Sequence, residues 1–133
     1  MTVSGNRIHT YGSECVDVKE QAHDNTIVGN LCADNDEPNS FYGSLIELRG
    51  YKNVVEQNTI SDSRGYGVKI SSDDDGLYQI TGNAIRGNDF TRNAAVPLRT
   101  SVELPPTDLC GNSYDGSITS NLLAELVAGC PGI

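Results

Sequence analysis

A six-residue pattern, apolar-x-x-Asn-x-apolar, recurs four times along the chain. The copies are Val3-Ser4-Gly5-Asn6-Arg7-Ile8, Ile27-Val28-Gly29-Asn30-Leu31-Cys32, Val55-Glu56-Gln57-Asn58-Thr59-Ile60 and Ile80-Thr81-Gly82-Asn83-Ala84-Ile85. Their asparagines are spaced by 24, 28 and 25 residues, the length of one coil of a solenoid. Between copies lies a short alternating run: Val16-Asp17-Val18-Lys19, Ile46-Glu47-Leu48-Arg49, Val68-Lys69-Ile70-Ser71 and Val96-Pro97-Leu98-Arg99. Such alternation marks a strand with one buried and one wet face. Each repeat therefore holds at least two short strands, and stacking sets like strands parallel, about 4.8 Å apart. The expected inward residues are Val3, Ile8, Val16, Val18, Ile27, Ile46, Leu48, Val55, Ile60, Val68, Ile70, Ile80 and Ile85. Asn6, Asn30, Asn58 and Asn83 are expected at the bends as an internal ladder, satisfying buried backbone groups and tolerating unusual torsions.

From about residue 3 to about residue 100 the pattern resembles the right-handed parallel β-helix of the pectate-lyase-like superfamily. The expected fold class is all-β: a right-handed parallel β-helix of four to five rungs over 1–106, followed by a tail over 107–133. From Pro105-Pro106 onward the pattern reads as ending. Asn121-Leu122-Leu123-Ala124-Glu125-Leu126-Val127-Ala128 then predicts a short apolar helix with Gly129 as its stop signal, placed to cover the last rung. Val3 already occupies a core position, and Met1-Thr2-Val3-Ser4 lacks the basic and apolar regions of a signal peptide. The chain therefore reads as the C-terminal part of a longer β-helix; the alternative is an open first rung covered by a partner.

Charge narrows the partners. Eighteen acids against nine bases give a net charge of −9 over 133 residues, which does not suit nucleic acid or an anionic membrane. No apolar run approaches a membrane span. Four cysteines in a small acidic domain suggest disulfides and a secreted or extracellular setting. Three pairings are possible, of which Cys15–Cys32 with Cys110–Cys130 is the local one. Cys32 also stands where other repeats carry Ile8, Ile60 and Ile85, so a free buried thiol is the alternative there. The loop over 33–43 and the acidic loop Asp73-Asp74-Asp75-Gly76 lack the Glu that would complete an EF-hand, and read as solvated loops.

Chemistry falls to the outward side chains of the alternating runs. Aligning the runs puts Lys19, Arg49, Ser71 and Arg99 in one column, with Asp17, Glu47, Lys69 and Pro97 beside it. Lys19 and Arg49 are then neighbours on adjacent strands, and adjacent cations are destabilising unless an anion lies over them. Either Asp17 and Glu47 neutralise them as surface ion pairs, or an anionic ligand does, such as the carboxylates of a uronic-acid polymer, with Arg99, Lys69, Tyr42 and Tyr51 as further binding residues.

The stretches Glu14-Cys15-Val16-Asp17-Val18-Lys19, Leu45-Ile46-Glu47-Leu48-Arg49-Gly50 and Asn53-Val54-Val55-Glu56-Gln57-Asn58 resemble the active-site strands of alginate lyase and chondroitinase B type polysaccharide lyases. The resemblance implies β-elimination with Lys19 as base and Arg49 as its partner, and calcium held in part by Glu14. Gly12 stands where a second acidic ligand is expected. In such a reaction a cation on the uronate carboxylate stabilises the carbanion formed at C5, and Arg49 disfavours a second positive charge on Lys19. A non-catalytic carbohydrate-binding or structural β-helix is the rival reading. The face carries tyrosines but the chain has no Trp for sugar stacking. A polygalacturonase-like hydrolase needs two or three converging acids, for which Asp17 and Glu47 are a thin set.

Overall fold

In the computed structural model the protein is a parallel β-helix, described over residues 1–9, 14–35, 43–63, 65–71, 80–92, 97–100 and 108–131. Tyr42, Gly12, Val96 and the loop Asp73-Asp74-Asp75 lie outside the described residues. The first three coils each contribute a strand to three sheets. The first sheet stacks β1 (Thr2–Ser4), β4 (Thr26–Val28), β7 (Val54–Glu56), β10 (Ala84–Arg86) and β12 (Asp108–Cys110). The second stacks β2 (Arg7–His9), β5 (Leu31–Asn35) and β8 (Thr59–Ser63), continued by bridges from Thr59 to Asp89 and from Asp89 to Ser113. The third stacks β3 (Val16–Val18), β6 (Ser44–Leu48), β9 (Tyr66–Ile70) and β11 (Leu98–Thr100). Every strand pairing is parallel.

Like residues stack in the interior. Val3, Ile27, Val55, Ile85 and Leu109 form one column, and Val16, Ile46, Val68 and Leu98 another. All the expected inward residues are buried except Val3, Ile8 and Val16. Those three belong to the first coil, have a neighbouring coil on one side only, and are half-buried; Val3 and Val16 line a cavity of about 260 Å³.

The asparagine ladder differs from the expected one. Asn6, Asn30, Asn58, Asn88 and Asn112 form the long ladder, each donating from its backbone and side-chain amides to the Oδ1 of the next at 2.8–3.1 Å. Asn83 belongs instead to a second ladder with Asn25 and Asn53. The pairing of Ile85 with Val55 makes Ile85-Arg86-Gly87-Asn88-Asp89-Phe90 the fourth copy of the motif. Leu109-Cys110-Gly111-Asn112-Ser113-Tyr114 is a fifth, past Pro105-Pro106, where the sequence pattern reads as ending. Every ladder asparagine follows a residue of positive φ: Gly5, Asp24, Gly29, Lys52, Gln57, Gly82, Gly87 and Gly111. That left-handed step turns the chain through the corner and brings the amide inward. Glycine takes it at no steric cost, which explains its recurrence there.

The last coil is closed by α1 (Asn121–Val127), capped at its start by the Ser120 side chain, which accepts from Leu123 N. The helix ends at Ala128 in an extended conformation, so Gly129 supplies no left-handed stop. Leu123 and Leu126 are buried. Leu126 O accepts from both amides of Asn112, and Ala128 O from Gly111 N, so helix carbonyls terminate the long ladder. Cys110–Cys130 ties the segment down with a Cα separation of 4.8 Å, and Cys15–Cys32 links the first two coils at 6.0 Å. Cys32 is thus both a core residue and a disulfide partner.

Candidate functional site

The outer face of the third sheet carries the candidate residues. In register, Asp17 lies beside Glu47, and Glu47 beside Lys69. Lys19 and Arg49 follow two residues on and are neighbours at the end of β3 and β6. Arg99 does not lie with Ser71, as the sequence alignment places it, but pairs directly with Lys69. Leu98 takes the core position opposite Val68, which moves β11 two residues along the column. The outward column therefore reads Asp17, Glu47, Lys69, Arg99.

At the first two coils the cations are matched by the protein's own acids. One Arg49 nitrogen donates to both Asp17 oxygens at 3.0 and 2.8 Å, and another donates to Glu20 Oε1 at 2.9 Å. Lys19 Nζ lies 2.8 Å from the same Asp17 Oδ2, so one carboxylate oxygen bridges the two cations. Glu47 accepts from Ser71 Oγ at 2.9 Å and stands 3.9 Å from both Arg49 Nε and Lys69 Nζ. Burial alone would raise the Asp17 carboxyl, but hydrogen bonds from Lys19 and Arg49 outweigh it and hold the group below its ordinary value. Burial likewise works against the Arg49 charge, and the Asp17 hydrogen bond, helped by Glu47 and Glu20, raises its pKa above the ordinary one. Glu20 carries no periodic signal, since it lies on the turn after β3; its place beside Arg49 is set by the stacking of the two coils.

At the third and fourth coils the surroundings change. The Arg99 guanidinium lies over the Tyr66 ring, 5.2 Å from its centroid, and donates to the Tyr66 hydroxyl at 2.5 Å. Tyr51 sits apart, at the next corner, stacked on His23 with centroids 4.8 Å apart. Glu14 is half-buried just before Cys15. Among the described residues no three His, Cys, Asp or Glu side chains converge to hold a metal ion.

Three stacked parallel sheets with asparagine ladders at their corners define the class as a parallel β-helix. The chain belongs to the right-handed β-helix family: residues 1–101 match the family described as right handed beta helix region. No curated protein and no solved structure gives a match to the chain. The family supports a carbohydrate-active or structural β-helix and assigns no particular activity. Among the described residues no helix is long and apolar enough to cross a membrane.

Proposed function

We propose that this protein is an extracellular β-helix that binds an acidic polysaccharide across the outer face of the β3-β6-β9-β11 sheet without cleaving it. The carrying observation is the gathering of Lys19, Arg49, Lys69 and Arg99 on that one face, in a chain with nine basic residues and a net charge of −9. Clustered cations on an acidic molecule favour a local anionic ligand. Disulfides at Cys15–Cys32 and Cys110–Cys130 support an oxidising compartment.

The non-catalytic reading is favoured over the lyase implied by the active-site resemblance because Asp17 already occupies the space between Lys19 and Arg49. A substrate carboxylate would have to displace it. Hydrolysis by paired acids is disfavoured by the same network, since Asp17, Glu20 and Glu47 all face Arg49. The test is affinity electrophoresis in alginate, polygalacturonate and chondroitin gels, with and without calcium, alongside an ultraviolet assay for unsaturated uronate. Retardation without new absorbance is the expected result. Absence of retardation in every acidic polymer overturns the reading, whereas unsaturated product that disappears in Lys19→Ala makes the protein a lyase.

A further inference from the structure

We infer that the anion-binding element of this face is the Lys69–Arg99 pair, with Tyr66 as the positioning residue for Arg99, and that it takes a carboxylate of an acidic polysaccharide. The inference rests on the reading of the face as polysaccharide-binding, and it shifts the site from the first two coils to the third and fourth.

Lys69 and Arg99 are direct cross-strand partners. Like charges so placed repel unless an anion lies over them. At Lys19 and Arg49 that anion is Asp17. At the Lys69–Arg99 pair no carboxylate of the described residues lies between the cations. Glu47 stands on the far side of Lys69, 3.9 Å away, and is shared with Arg49 and Ser71. Arg99 makes no ion pair with a described carboxylate, whereas Arg86 on the first sheet is matched by Glu56 and Asp108 and Arg49 by three acids. The column thus grades from acids on the first two coils to cations on the next two, and steers an incoming oxyanion to the cationic end.

The geometry of Arg99 fits such a ligand. Stacking on Tyr66 and one hydrogen bond to its hydroxyl hold the exposed guanidinium, using, among the described residues, one of its five N–H donors. The remaining planar fork is suited to a carboxylate. With coils about 4.8 Å apart, a carboxylate between the strands is within reach of both Arg99 and the Lys69 ammonium.

The test is titration of the whole protein with alginate oligosaccharides, with Arg7→Gln on β2 as the control. Arg99→Gln and Lys69→Gln should each weaken binding about tenfold, the size expected for one charge-assisted contact, with unchanged circular dichroism because both side chains point outward. Arg99→Gln should also flatten the salt dependence. Tyr66→Phe should weaken binding about threefold while leaving the salt dependence as in the wild type, since the charge remains and only its orientation is lost. If the wild type binds and both Gln variants bind equally well, while Lys19→Gln is impaired, the assignment is overturned and the polysaccharide reading stands. If the wild type binds no acidic polymer, that reading itself has failed.

Discussion

Asn58 shows what one side chain does in this fold. Its Oδ1 accepts from Asn30 N and Nδ2 at 2.9 and 3.1 Å, and its own Nδ2 donates to Ile27 O and Asn88 Oδ1 at 2.9 and 3.0 Å. The residue is 1% exposed, so water cannot replace these contacts. Asn58→Ala strands the Asn30 donors and the Ile27 carbonyl together, and each unsatisfied buried group costs about 1–3 kcal/mol. The variant should lose about 3 kcal/mol or more in urea unfolding; a loss below about 1 kcal/mol would show that the ladder is dispensable. The preceding Gln57, at φ 55, holds the left-handed position that glycine fills before Asn6, Asn30, Asn88 and Asn112. Its side chain is tolerated there because the corner faces solvent, while the asparagine after it turns inward.

The third sheet couples its strands through charge as well as through backbone hydrogen bonds. Asp17 on β3 is held by Arg49 at the end of β6, and the folded carboxyl lies below its ordinary value. A depressed carboxylate adds stability above its unfolded pKa of about 3.9, and that stability is lost as pH falls through the folded value. Melting temperature should therefore fall on acidification below about pH 4. Asp17→Asn should melt earlier than the wild type at pH 7, by about 1 kcal/mol for a partly exposed network, and converge on it in acid. A gap that persists unchanged at acid pH would assign the effect to packing. The helix α1 works at the other end of the stack: its carbonyls take the donors of Asn112 that a further asparagine would otherwise receive.

The stack of described coils has one open and one covered face, and one graded side. At the first coil Val3, Ile8 and Val16 remain half-buried, while the last coil is covered by Leu123 and Leu126 and tied by Cys110–Cys130. A solenoid holds each coil only through its neighbours, so cross-links at the first two coils and at the tail restrain the segments with fewest neighbours. Peptide mapping without reduction should recover Cys15 linked to Cys32 and Cys110 to Cys130. Four free thiols in protein from an oxidising compartment would contradict both cross-links.

Much of this architecture is legible along the chain. The apolar-x-x-Asn-x-apolar spelling, the alternating runs and the inward positions specify a parallel β-helix, because burial on a strand follows a period of two and a buried amide must be paired at each corner. What the chain leaves open is how far each run slides along its neighbour. A slip of one residue turns every side chain to the wrong face, but a slip of two keeps each on its own face and leaves no trace in the hydrophobic pattern. Arg99 therefore aligns equally well with Ser71 or Lys69 by sequence. Asn83 and Asn88 likewise each take the fourth position of a copy of the motif. Packing between coils separates the choices: Phe90 and the Pro97 carbonyl fill the space beside Gly67, where a Cβ would lie 2.8 Å from Phe90 Cε1 and 2.7 Å from Pro97 O. That fit sets Leu98 opposite Val68 and Arg99 opposite Lys69. The same stacking brings Asp17 and Glu20 onto Arg49, contacts between residues about thirty apart that only the coiling of the chain creates.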